Sequence, residues 1–108
     1  MENRLVLGGI VHKAPETRHS PAGIPLTRFT LEHRSRQLEA GLEREAYCRI
    51  VVVCSGEVLQ RQAEQLASGQ QVRVSGFIAR ADNRQGQSLL VLHAHRLQVG
   101  IKLEPQAN

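Results

Sequence analysis

Few side chains in this sequence could do chemistry, and they sit in two alternating runs. Tyr47 and Arg49 lie two apart in EAYCRIVVVC (45–54), where Ala46, Cys48, Ile50, Val52 and Cys54 are all apolar. In a strand the period of two forces the ring and the guanidinium onto the opposite, solvent face. Residues 26–35 (LTRFTLEHRS) alternate likewise, with Phe29, Leu31 and His33 on one side and Arg28, Thr30, Glu32 and Arg34 on the other. One polar sheet face then carries Tyr47, Arg28, Arg34 and Arg49. A ring beside guanidiniums suits an unpaired nucleic-acid strand, because a base stacked on an aromatic contributes about 1–3 kcal/mol with little regard to sequence. The same residues would also make an ordinary solvated face, with Glu32 and Glu45 paired to the arginines. Parity alone leaves both readings open.

Further cations fall in loops: Lys13, Arg18 and His19 in KAPETRHSPAGIP (13–25), and Arg80 and Arg84 around DNRQG. Long basic side chains on loops reach phosphates, and they also decorate the loops of any soluble protein. Other clusters are thin. His93 and His95 share a strand face, as two metal ligands would. No Cys or acid stands near them in sequence, and Leu89, Val91 and Leu97 share their face, so packed or edge histidines and no metal are expected. Gly8–Gly9 lacks the Gly-Lys-Ser/Thr of a phosphate loop. Catalysis needs a nucleophile with its base, or carboxylates in divergent environments. The acids are scattered and neither cysteine has an activating neighbour, so neither an enzyme nor a cofactor is expected.

Cys48 and Cys54 are six apart on one strand face, roughly 20 Å along the chain and too far to bridge. They read as reduced core residues of a cytoplasmic protein. The 108 residues make one small domain, with a net charge of +4 and 41% hydrophobic residues. That charge permits an anionic partner without requiring one. Twelve of the fourteen basic residues are Arg, which suits phosphate forks. No apolar run approaches the ~18 residues of a membrane span. MENRLVLGG lacks the basic and apolar regions of a secretory leader, so neither secretion nor membrane insertion is expected.

The elements that must position these residues follow from periodicity. Residues 4–12 read as a strand with Leu5, Leu7, Gly9 and Val11 inward, 13–25 as a long loop, and 26–35 as a second strand. Residues 36–43 read as a polar connection bent at Gly41, and 45–54 as a third strand. Leu59, Ala63 and Leu66 then fall on one stripe of a helix over 57–68, with Ser55 placed to cap it and Gly69 to end it. Alternation returns in 70–80, with Val72, Val74 and Ile78 inward and Gly76 a bend or bulge. A polar hairpin (81–87) and a last strand (88–99) complete the domain, 1–100, and 101–108 reads as a flexible C-terminal tail. The order β-β-β-α-β-β is that of an all-β, five-stranded Greek-key barrel with one short helix between strands 3 and 4, the OB-fold. Other small barrels usually lack that helix.

With these residues in view, the chain resembles the primosomal replication protein N family, the bacterial primosomal protein B. The resemblance is carried by N-R-L-V-L-x-G at the start, S-P-A-G-I-P in the first loop, F-T-L-E-H-R-S in the second strand and E-A-G at 39–41. It continues through Cys48, Ser55–Gly56, Gly76–Phe77–Ile78 and Leu92–His93–Ala94. It implies a homodimer of OB-folds pairing through the first part of the chain. It also implies binding of single-stranded DNA, and partnership with the primosomal helicase and a further primosomal protein in replication restart. Departures weaken the expected binding. Tyr47 stands where the family typically has Trp, Leu42 where members carry a second aromatic, and Asp82 and Leu89 in a hairpin often rich in Lys. With three or four phosphate contacts, log K against log[salt] should slope about −2 to −3.

Two other readings stand beside this one. A barrel whose groove has degenerated would serve as a protein-interaction adaptor. A general single-stranded-DNA-binding protein is expected to carry a long C-terminus with an acidic tip, unlike Leu103–Asn108. RNA is an admissible ligand too, since stacking platforms accept both. Val6 and Ile10 put apolar surface on the second face of the first strand, which a helix or another subunit must cover.

Overall fold

Apolar side chains recur at alternate positions in five runs of the chain, and the computed structural model, which describes residues 1–100, folds each run into a strand. The elements are β1 (Leu5–Val11), β2 (Glu16–His19), β3 (Pro25–Glu39), β4 (Leu42–Ser55), α1 (Glu57–Ala63), β5 (Gln71–Asp82) and β6 (Ser88–Gln98). The sheet runs β1-β5-β6-β4-β3, and β1 closes it by pairing with β3 at Ile10–Glu32 and Val11–Leu31. That is the expected five-stranded OB-fold barrel, with α1 between its third and fourth strands. The expected tail, 101–108, lies outside the described residues.

Alternation delivers the core. Val11, Phe29, Leu31, Val52, Cys54, Val72, Val74, Leu92 and Ala94 point into the barrel, and Ala63 and Leu66 close one end. Fully burying a Val or Leu contributes about 1.5–3 kcal/mol, so this face fixes the register of every strand. The buried Thr27 hydroxyl lies 2.8 Å from that of Thr17, which donates to Glu64 at 2.7 Å. Because Thr17 spends its proton on the carboxylate, Thr27 is the donor to Thr17.

Several expectations are corrected. The loop over 13–25 contains a strand, β2, laid antiparallel on the β3 edge from Glu16–Arg28 to His19–Pro25. Pro15, Pro21 and Pro25 suggested loop, but they flank β2, fill its turn or open β3, places where a strand tolerates Pro. Nor is 36–43 a connection. Strands β3 and β4 stay paired out to Glu39–Leu42 around a two-residue turn, with Ala40 at φ 52° and Gly41 at φ 77°. Positive φ at both central residues is the turn that matches strand twist. This arm extends past the barrel, so both its faces meet water and no alternation marks it. For the same reason Cys48 is exposed and not core, while Cys54 is buried as expected.

The helix is shorter than 57–68 and is not capped by Ser55. Gly56 is its N-cap, with no side-chain cap bond, and it ends at Ala63. The chain beyond is tied to β1 instead: the Gly69 amide donates to the Val11 carbonyl at 2.7 Å, and the Val11 amide to the Gln70 carbonyl at 2.9 Å. Leu59, Ala63 and Leu66 still meet the core, with Leu66 reached through a tight turn. Finally, the irregularity expected at Gly76 is a bulge between Ser75 and Gly76. It changes parity along β6, so Leu97 packs on the core and does not share the face of His93.

Candidate nucleic-acid interface

Cross-strand partners project to the same side of a sheet, and the β3–β4 register pairs Arg34 with Tyr47 and Glu32 with Arg49. The Tyr47 ring is 46% exposed, and the Arg34 guanidinium carbon lies 4.2 Å from its centroid. Glu32 organises the group. Its Oε2 accepts from Arg49 Nε at 2.9 Å and from the Tyr47 hydroxyl at 3.1 Å. The Arg49 hydrogen bond, aided by that of Tyr47, holds the Glu32 carboxyl below the usual range against partial desolvation, and Glu32 in turn raises Arg49. Arg34 Nη1 also donates to Glu45 at 3.0 Å. The carboxylate pairing of an ordinary solvated face and the ring-and-guanidinium geometry of a stacking platform are therefore both present. A phosphate would have to exchange with Glu45 or Glu32 for its guanidinium. The Arg34–Glu45 pair is more than half open to water, where such pairs are worth little and exchange readily, whereas in the Arg49–Glu32 pair the arginine is about half exposed and the carboxylate largely covered.

Arg28 stands on the same face, opposite Val53 on one side and Glu16 on the other, and is exposed with no carboxylate contact among the described residues. Arg18, expected in a loop, lies on β2 opposite Leu26, which puts it on this face too. Lys13 is exposed just before β2. Arg84 is exposed in the last hairpin loop, shaped by Asn83 Oδ1 accepting from the amides of Gln85 and Gln87. Arg80 is the residue the fold does not bring in. It is opposite Leu90, with the parity of inward-facing Ile78, and donates to Asp82 at 3.3 Å. Sequence reading missed the extended arm that carries Arg34 and Tyr47 beyond the core, and with it the exposure of Leu38 and Leu42 near its tip. The E-A-G at 39–41 was the available turn signal.

Strand order, barrel closure and helix position define an OB-fold, here with an aromatic and arginines on the outer face of its second and third barrel strands. Residues 3–96 match a family model described as "Another single-strand binding protein family". Replication restart protein PriB of Photorhabdus laumondii is 50% identical over 97 residues, 90% of this chain and 92% of that protein. PriB of Photobacterium profundum is 48% identical over 99 residues, 92% of this chain and 95% of that protein. The chain belongs to the PriB family. Among solved structures, PriB of Ralstonia solanacearum aligns with a TM-score of 0.76 at 24% identity, covering 94% of this chain and 100% of that one. The single-stranded DNA binding protein of Thermus aquaticus, as a deletion mutant, aligns at 0.77 and 20% identity, covering 91% of this chain and 50% of that one. These two likenesses concern the fold.

Proposed function

We propose that this chain is a single-stranded-DNA-binding accessory protein of the replication-restart primosome, working in the cytoplasm as a homodimer. It binds DNA through the face carrying Tyr47, Arg34, Arg49, Arg28 and Arg18, assisted by Lys13 and Arg84 on loops. It bridges the primosomal helicase to a later primosome component and catalyses no reaction. One observation carries the reading: an exposed ring with a guanidinium over it, on the outer face of a chain half identical to a replication restart protein. Pairing of two copies is supported by β1, where Val6 is 62% and Ile10 37% exposed. Arg80 contributes at most to the general field, because its side of the hairpin is turned away.

Anisotropy of a labelled dT oligomer tests the reading, with wild type and Tyr47→Ala at two salt concentrations beside a duplex. Salt-sensitive binding to the single strand alone, weakened by Tyr47→Ala, is the expected result. No binding at low salt would favour the second reading, a primosomal adaptor. That reading has its own support in the carboxylates already holding Arg34 and Arg49 and in the exposed Leu38, Leu42, Leu89 and Leu90. Light scattering at micromolar concentration checks the dimer, and a monomer would remove it.

A further inference from the structure

We propose a second base-stacking subsite, formed by Phe77, His93 and His95, which takes the same single strand further along the barrel's outer face. It rests on the reading of the Tyr47 face as a single-strand groove.

Phe77 and His93 are register partners, flanked by the pairs Gly76–Ala94 and Ile78–Leu92 that take the inward positions. Both rings therefore point outward. Their centroids are 4.9 Å apart and their planes within 10°. The bulge at Ser75/Gly76 leaves His95 as the extra residue on β6, and its ring also lies against Phe77, at 5.2 Å and 49°. None of the three belongs to the barrel core, and His95 is exposed. A stacked cross-strand pair is worth something to a sheet, but a third, exposed ring against it adds little stability. It is, however, the one of the three that is exposed, which leaves it accessible to a base.

Position ties this group to the first platform. Strands β4 and β6 run parallel with Val53 beside His93, and Val53 is six residues from Tyr47 along β4. At the rise of a strand, the two ring groups are about 20 Å apart on one continuous face, within the ~4–16 nucleotides that one OB-fold holds. Along that stretch β4 places Arg49, Val51 and Val53 on the outer side and no acid, with Val53 covered by its neighbours and only 6% exposed. Arg28 sits beside Val53, and exposed Arg96 follows His95. Neither touches a carboxylate among the described residues. Opposing charge comes from Glu32, already paired with Arg49, from Glu16 across from Arg28, and from Glu57, which lines the groove shared with His95. Base stacking with flanking guanidiniums is the chemistry that single strands use without sequence preference.

The chain contains no tryptophan, so one introduced Trp reports its own site. Tyr47→Trp and His95→Trp are each titrated with dT of about 15 nucleotides, near the upper site size of one OB-fold. Quenching of both, with a common midpoint, is expected. Quenching of Tyr47→Trp without His95→Trp would overturn the second subsite and leave the groove standing; quenching of neither would remove both. Should His95→Trp fail to fold, His95→Ala decides by anisotropy with the same oligomer. A loss of about 5-fold or more, the lower end of base stacking, is expected, and unchanged affinity overturns the subsite.

Discussion

The guanidinium of Arg34 stands over the ring of Tyr47, its central carbon 4.2 Å from the ring centroid, and the two residues are direct partners across β3 and β4. An exposed cation–π contact of this kind is worth about 0.5–1 kcal/mol, enough to bias the ring's orientation before any ligand arrives. The two side chains should then fail differently. Tyr47→Ala should cost about 5- to 150-fold in affinity for dT, the range of one stacked base, with little change in salt dependence. Arg34→Ala should weaken binding and also flatten the log–log salt slope by about 0.7, one phosphate contact on a single strand. Anisotropy titrations at several salt concentrations separate the two.

Glu32 competes with any phosphate for Arg49 and the Tyr47 hydroxyl. Replacing its charge by Glu32→Gln should tighten dT binding severalfold while lowering stability near neutral pH. The pH dependence has a definite sign. Arg49 and Tyr47 depress the folded-state carboxyl below its ordinary value of 4.5. The stability from ionised Glu32 is therefore present above about 4.5 and is lost as pH falls through the lower folded value. Denaturant melts of wild type and Glu32→Gln should converge on acidification below that point. Curves that stay parallel from neutral to acid pH would count against the role assigned to Glu32.

Gly76 sits opposite Ala94 of β6, next to the bulge. A Cβ there would collide with the carbonyl oxygen of His93, with its carbonyl carbon 2.8 Å away and the Ala94 Cα at 3.0 Å. All three are backbone atoms that cannot step aside cheaply. Gly76→Ala should cost about 1–3 kcal/mol or more, read as a lower denaturant midpoint, and should also disturb the Phe77–His93 stack.

The two thiols should differ sharply. Cys54 is buried in the barrel and desolvation pushes its thiol up to about 12, whereas Cys48 is exposed on the arm. Reactivity follows the thiolate. A thiol reagent near neutral pH should modify Cys48 in the native protein and reach Cys54 only at the rate of unfolding. Equal rates at both positions would contradict the buried placement of Cys54.

The barrel was legible wherever a strand has one wet and one dry face, as in Phe29–Leu31 and Val52–Cys54. Tyr47, Arg34, Arg49 and Arg28 were placed on one face by parity alone, and the register bears out that grouping. Legibility ended where burial ended. Arg36, Gln37, Glu43 and Arg44 give no periodic signal because the arm has no core to face, so two strands passed for a loop. Ser55 looked like a cap by residue type, yet the entry to α1 is set by Gly56, whose amide donates to the Pro25 carbonyl at 2.9 Å. The change of face along β6 hinges on one bulged residue, so simple parity misassigned Leu97.

The arm built by β3 and β4 divides the molecule into parts that answer to different demands. Beyond Leu31 and Ile50 the hairpin has no buried side chain; His33 ties its base to the Gly8 carbonyl of β1, and the rest is held by its ladder and by exposed ion pairs such as Arg36–Glu43 and Arg44–Glu39. Its opening therefore need not open the barrel, and its amides should exchange with solvent well ahead of those at Leu31 or Val52. Substitution there is correspondingly cheap for folding. The ring at 47 and the residue at 42 can drift through evolution with the barrel indifferent to the change, so binding strength is free to be retuned one side chain at a time.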